Sequence, residues 1–154
     1  MTGQINVNKI AARTGTTIAV DTGDALTVDT LKGTATAGSI NVVGEGNSNT
    51  TNLQQGLAKH WCQFVQSSAT VTDSLNQASM TDHGAADTSW DFTTAMGNDD
   101  YSAQTTCNSG SWYVTSAYND STKTTAGDRC YTMKLNQTAV DASSVFVTTH
   151  GDLA

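Results

Sequence analysis

The sequence predicts an all-β protein. An extended, stalk-like β segment over 1–56 leads into an antiparallel β-sandwich of jelly-roll type over 57–154, and the whole assembles as an oligomer. Three observations predict it. Thr is the commonest residue, 27 of 154, and with 14 Ser, 13 Asp and 11 Asn it displaces the usual helix fillers Glu, Lys, Leu and Arg. Thr is β-branched and stiff at χ1, while Asp, Asn and Ser compete for backbone hydrogen bonds in turns. Second, apolar residues alternate in short runs between Gly-bearing turns, the period of a strand. Third, Leu, Ile, Val and Phe together number 25 of 154, a thin supply of core. The chain lacks the Pro, Glu and Lys of disordered segments, so the scarcity reads as thin strands that lean on neighbouring chains.

Residues 1–56 contain no aromatic, Cys or His and hold all four Ile of the protein. Their alternating pairs are Ile5/Val7, Ile18/Val20, Leu26/Val28 and Ile40/Val42, separated by Thr14-Gly15, Thr22-Gly23-Asp24, Lys32-Gly33 and Ala37-Gly38-Ser39. One apolar stripe per strand cannot close a core alone, so these eight residues are the expected oligomer interface of an intertwined stalk. The polar run 44–52 reads as a link or long turn.

Every Trp, Tyr, Phe, Cys and His lies in 57–154. The pattern predicts a short helical turn at 52–57, then a strand in which His60, Cys62 and Phe64 alternate against Trp61, Gln63 and Val65. Further strands are predicted at 69–75, 78–82, 88–93, 101–107, 111–118, 129–136 and 143–149, with 82–87 a hairpin turn. That many short strands in one domain give a sandwich.

Charge narrows the function. Seven Lys and Arg against 14 Asp and Glu give a net charge of −7, which disfavours nucleic acid and anionic membrane as partners. No apolar run approaches the ~20 residues of a spanning helix and no signal peptide opens the chain, so no membrane insertion is expected.

Five stretches carry a resemblance: Leu57-Ala58-Lys59-His60-Trp61, Val71-Thr72-Asp73-Ser74-Leu75-Asn76, Met80-Thr81-Asp82-His83-Gly84, Trp90-Asp91-Phe92-Thr93-Thr94-Ala95-Met96 and Asp100-Tyr101. In this order they resemble the C-terminal domain of tail-fibre-like virion proteins of tailed bacteriophages, notably marine and cyanobacterial ones. The family's Gly-rich turn is Gly84-Ala85-Ala86-Asp87 here. The resemblance covers 57–101 well, 1–56 loosely and 102–154 only in strand rhythm. It implies a virion structural protein, a homotrimeric short tail fibre or tail appendage that contacts other virion proteins and serves host attachment. The alternative is a capsid decoration protein that cements the head. It implies no enzyme, no catalytic residue and no cofactor. Assembly in a bacterial cytoplasm implies free thiols at Cys62, Cys107 and Cys130, although Cys107 and Cys130 fall in separate strands that could pair.

Motifs for chemistry are weak. Asp21-Thr22-Gly23 matches an aspartic-protease loop, but that reaction needs a second Asp sharing a proton, and a Gly-bearing turn explains the triplet. His60 and Cys62 share a strand face as two zinc ligands do, without the paired spacing of a zinc site. Asn98-Asp99-Asp100 and Asn119-Asp120 offer oxygen ligands for Ca²⁺ without EF-hand spacing. No metal site is expected. A ligand surface is the sharper reading: Trp112, Tyr113 and Tyr118 crowd one strand, followed by Asn119 and Asp120. Rings beside amides and carboxylates are how proteins hold sugars, which makes these five the expected receptor-binding residues for a cell-surface glycan. The competing reading places Trp112, Val114 and Tyr118 together on the core face of a strand.

Overall fold

The computed structural model describes residues 25, 27–33, 40–43, 49–110, 113–118 and 122–152. The chain forms two compact units, Met1–Lys32 and Gly33–Ala154. In the first, Val28 and Leu31 are exposed among the described residues. Of the expected interface residues, Ile5, Val7, Ile18, Val20 and Leu26 lie outside the described residues, as does the Asp21-Thr22-Gly23 triplet. Ile40 is half-buried and Val42 exposed.

The second unit opens with an antiparallel hairpin, β1 (Asn41–Val43) with β2 (Thr50–Asn52). The predicted helical turn follows as α1 (Leu53–Gly56). It starts there because the Asn52 side-chain oxygen accepts the Gln55 N–H at 2.9 Å, a helix N-cap.

Eight strands then build the sandwich: β3 (Ala58–Val65), β4 (Thr70–Leu75), β5 (Gln77–Gly84), β6 (Asp87–Phe92), β7 (Ser102–Asn108), β8 (Tyr113–Ala117), β9 (Gly127–Lys134) and β10 (Ser144–His150). One sheet has the order β4-β3-β10-β7 and the other β5-β6-β9-β8, with every pairing antiparallel. The chain is all-β, its antiparallel sheets packed as a sandwich, as Thr content and period two predict. Each strand from β4 to β10 falls within two residues of its predicted span, because alternation and turn residues fix both ends locally, whereas β2 forms inside the polar run 44–52 expected as a link or long turn.

Alternation also sets the faces. His60, Cys62, Phe64, Val145, Val147 and Thr149 point inward from the first sheet, and Thr88, Trp90, Phe92, Asp128, Cys130 and Thr132 from the second; all are buried. Five of these twelve residues are polar, which is how a chain with few large aliphatics fills its interior. His60 spans the gap. Its ring lies 2.8 Å from Gln77 Oε1 of the opposite sheet and 3.3 Å from Thr149 Oγ1 of its own. The ring also stacks on Trp90, with centroids 6.2 Å apart, and meets Phe92 edge-on at 5.0 Å. Both nitrogens are therefore engaged, and among the described residues no group of three or more His, Cys, Asp or Glu is placed to hold a metal ion. All three cysteines are free, and burial pushes the thiols of Cys62 and Cys130 up to about 12.

The crossings between sheets are pinned by side chains. Asn76, alone between β4 and β5, has φ +60°, a left-handed conformation that Asn tolerates. Its amide oxygen accepts the Thr94 N–H at 2.7 Å and its NH₂ donates to the Thr94 carbonyl at 3.0 Å, joining the end of β4 to the segment after β6. At the β5–β6 turn the Asp82 carboxylate accepts the Gly84 N–H, and Ala86 takes φ +74°. Buried Gln66 donates to the Ala86 carbonyl and accepts the Ala142 N–H, while Asp141 accepts the Ala86 N–H. After β6 the chain folds back so that Met96 and Tyr101 are buried, with the Tyr101 ring 5.5 Å from Phe92.

Two outcomes follow from this packing. Phe92, only 7% exposed, contacts His60 and Tyr101, so Phe92→Ala should cost roughly 3–5 kcal/mol in urea unfolding. Asp91, exposed on the opposite face of the strand, should change stability by about 0.5 kcal/mol or less as Asp91→Ala; comparable losses would show that both faces are buried. The second outcome concerns pH. Burial lowers the His60 pKa below the ordinary 6.5, against a smaller raising effect of the Gln77 bond. The unfolded chain therefore takes up a proton near pH 6.5 that the fold refuses, and stability falls as pH drops from there toward the folded value. Urea midpoints measured between about pH 7 and 5 should fall in the native chain and fall less in His60→Gln.

Candidate functional site

The strand bearing the expected receptor residues is β8, and its facing is set by its partner β9. Thr115 and Ala117 lie opposite Thr132 and Cys130, both fully buried, so odd-numbered positions of β8 turn inward. Tyr113 is accordingly half-buried on the inner side, whereas Val114 and Tyr118 are exposed. The core reading of Val114 and Tyr118 fails for that reason: the buried register belongs to β9, which the alternation within β8 alone does not reveal. Tyr113 and Tyr118 do not share a face. Trp112, Asn119 and Asp120 lie outside the described residues.

Tyr118 joins a different constellation, on the outer face of β5-β6-β9. The Arg129 guanidinium lies over its ring at 4.2 Å from the centroid, and Tyr131 meets it edge-on at 6.0 Å. Arg129 is also held by Asp87, its Nε and Nη2 donating to the two carboxylate oxygens at 2.5 Å. That bidentate pair raises the Arg129 pKa further above its ordinary value. Register places Ser89 opposite Arg129 and Asp91 opposite Gly127. His83 Nε2 lies 2.8 Å from Ser89 Oγ, and Ser79 donates to Asp91.

Between these side chains runs a groove of about 260 Å³, lined by His83, Ser89, Asp91, Thr124, Gly127 and Arg129 among others. Gly127 is buried and lets β9 pack closely on β6 beside the groove. A Cβ there would sit 2.2 Å from the Trp90 carbonyl oxygen and 2.8 Å from Asp91 Oδ1. The tight turn before it is fixed by reciprocal backbone bonds between Thr124 and Gly127, and by the Tyr101 hydroxyl 2.9 Å from the Gly127 carbonyl. The signal for the groove in the sequence was Arg129, one of only seven basic residues, at the head of a predicted strand. Its other walls come from residues some forty positions earlier and needed the strand order to be found.

The outer face of the other sheet carries three exposed apolar side chains among the polar positions Gln63, Asp73, Gln104, Thr106 and Thr148. Trp61 and Leu75 lie side by side across β3 and β4, 36% and 47% exposed. Phe146, 39% exposed, lies beside Gln63 on the same face. Leu57 and Leu75 border a groove of about 510 Å³ with Lys59, Asn76 and Thr94. No helix among the described residues is long and apolar enough to cross a membrane.

The chain matches no protein-family model, no curated protein and no solved structure.

The Gly127 contact is directly testable. Gly127→Ala forces β6 and β9 apart at the Trp90 carbonyl and should cost roughly 1–3 kcal/mol, as overpacking does. Gly56→Ala, with open space around the new methyl, should stay within about 0.5 kcal/mol on the same urea titration.

Proposed function

We propose that the chain is a structural subunit of a bacteriophage virion, part of a homotrimeric short tail fibre or tail appendage that presents a surface to the host. The observation that carries this reading is the exposed apolar face of Trp61, Leu75 and Phe146. A protein with 25 Leu, Ile, Val and Phe in 154 residues has little apolar surface to spare, yet it spends three large side chains on one outer sheet face. Contiguous exposed apolar surface marks a protein–protein contact. Copies of the same chain are the occupants that a trimer supplies, and the half-exposed Val28 and Val42 point the same way.

The resemblance to tail-fibre-like proteins supports the reading from a second direction. Its stretches coincide with β3 to β6 and the return to Tyr101, where they supply His60, Trp90, Phe92, Met96 and Tyr101 to the core and Asn76 to a crossing. A pattern of that kind specifies a framework, which is what a virion module needs from it.

Light scattering of the purified chain should give a multiple of 16.1 kDa, three copies for the fibre reading. Trp61→Glu with Leu75→Glu, both on the outer face, should yield a smaller species with unchanged circular dichroism. A clean monomer for the unaltered chain at micromolar concentration sinks the oligomer. Labelling of particles separates positions: signal at the tail fits a fibre, and signal spread over the head would make the chain a decoration protein.

A further inference from the structure

We propose that neighbouring copies of the chain meet with Lys59 of one set against Asp73 of the next, closing a ring around the exposed side chains of Trp61, Leu75 and Phe146. The inference rests on the oligomer reading and deepens it, by naming how one copy recognises another.

The charges on this face are few and placed. β3 turns Lys59, Trp61 and Gln63 outward, the parity opposite to buried His60, Cys62 and Phe64. On β4, Leu75 lies across from Trp61 and Asp73 across from Gln63. β10 turns Phe146 and Thr148 outward, with Thr106 and Gln104 of β7 across from them. Lys59 and Asp73 are therefore the only Lys, Arg, Asp or Glu pointing outward from the described strands of this sheet. They stand on opposite sides of the Trp61–Leu75 pair. Lys59 shares a groove of about 510 Å³ with Leu57 and Leu75. Asp73 is level with Gln63, so along β3 the two charges are about 13 Å apart at the ~3.3 Å rise of a strand.

Neither charge is used inside the chain. Lys59 and Asp73 form no ion pair among the described residues, and the Asp73 carboxylate accepts the N–H of its neighbour Ser74 at 2.8 Å. On the other sheet, by contrast, Arg129 is tied to Asp87 and Asp91 is held by Ser79 within the same chain.

An apolar centre with a cation at one end and a carboxylate at the other is complementary to a copy of itself. A rotation that brings unlike ends together repeats the same contact until the ring closes. An arrangement that set Lys59 against Lys59 and Asp73 against Asp73 would cost free energy through like-charge contact. Rotation preserves height along its axis, so the axis crosses β3 and does not run along it. For three copies the result is a three-sided prism, with Trp61, Leu75 and Phe146 inside and a Lys59–Asp73 pair at each edge. Copies that each carry a net charge of −7 repel one another, and a cation at the contact offsets that repulsion where the copies meet.

Light scattering of the full chain and its variants over a concentration series tests the pairing. Lys59→Glu and Asp73→Lys each set like charges together at every contact of the ring. Each should raise the concentration at which the oligomer dissociates by roughly tenfold or more. Lys59→Glu combined with Asp73→Lys restores an opposite pair in the reverse sense and should assemble within about threefold of the unaltered chain. Asp91→Lys, the same change of charge on the outer face of the other sheet, should leave the oligomer as it was. Circular dichroism on each variant establishes that the fold is kept. Single variants that dissociate no more readily than the unaltered chain, or a double variant that regains nothing, overturn the pairing. Those results leave the apolar contact standing, because Trp61→Glu with Leu75→Glu reads it separately. A monomeric unaltered chain overturns both and gives the face to a different protein.

Discussion

The sandwich depends on one buried imidazole. With few large aliphatics, the layer between the sheets rests on Phe64, Trp90, Phe92, Met96, Tyr101, Val145 and Val147, and His60 adds a polar link across it. Its hydrogen bond to Gln77 ties β3 to β5, and its bond to Thr149 ties β3 to β10. Its ring face and edge pack on Trp90 and Phe92 of β6. A buried polar side chain with both ring nitrogens engaged avoids the cost of an unpaired group and adds direction, which dispersion contacts between aliphatics lack. Direction matters here because a one-residue slip of β3 would bring Trp61 into the core and send His60 to solvent.

Polar bonds also pin one crossing between the sheets and one turn within a sheet. Asn76 closes the β4–β5 crossing through Thr94, and Gln66 with Asp141 closes the β5–β6 turn onto the segment before β10. These are long-range contacts made by amides and a carboxylate, so the abundance of Asn, Asp and Thr in the sequence has an interior role as well as a turn-forming one. Fully satisfied networks of this kind specify a single arrangement. They also leave the outer faces free of structural duty, since the sheets are fastened from inside.

How far the sequence reveals this differs by level. Strand positions are legible because alternation and turn residues act locally: the Asp82–Asp87 turn, the Asn52-capped helical turn and the His60/Cys62/Phe64 alternation are each contained within a few residues. Facing is legible where one parity is plainly apolar, as in Trp90 and Phe92. It is not legible on β8, where Trp112, Val114 and Tyr118 form the more apolar parity, yet Cys130 and Thr132 of the neighbouring strand dictate that Thr115 points inward. The groove was hidden for a related reason. Arg129, Asp91 and His83 become neighbours only once β9 pairs with β6 and β6 with β5.

The two outer faces divide accordingly. On β4-β3-β10-β7 the outward positions include Trp61, Leu75 and Phe146, whose exposure costs free energy in water and is relieved by packing. On β5-β6-β9-β8 the outward positions include Asp87, Ser89, Asp91 and Arg129, whose polar groups already satisfy one another and gain little from burial under an apolar partner. An assembly that buried the second face would have to desolvate the Arg129–Asp87 pair, while one that buries the first loses no hydrogen bond at Trp61, Leu75 or Phe146. Burying the first face therefore costs less desolvation than burying the second.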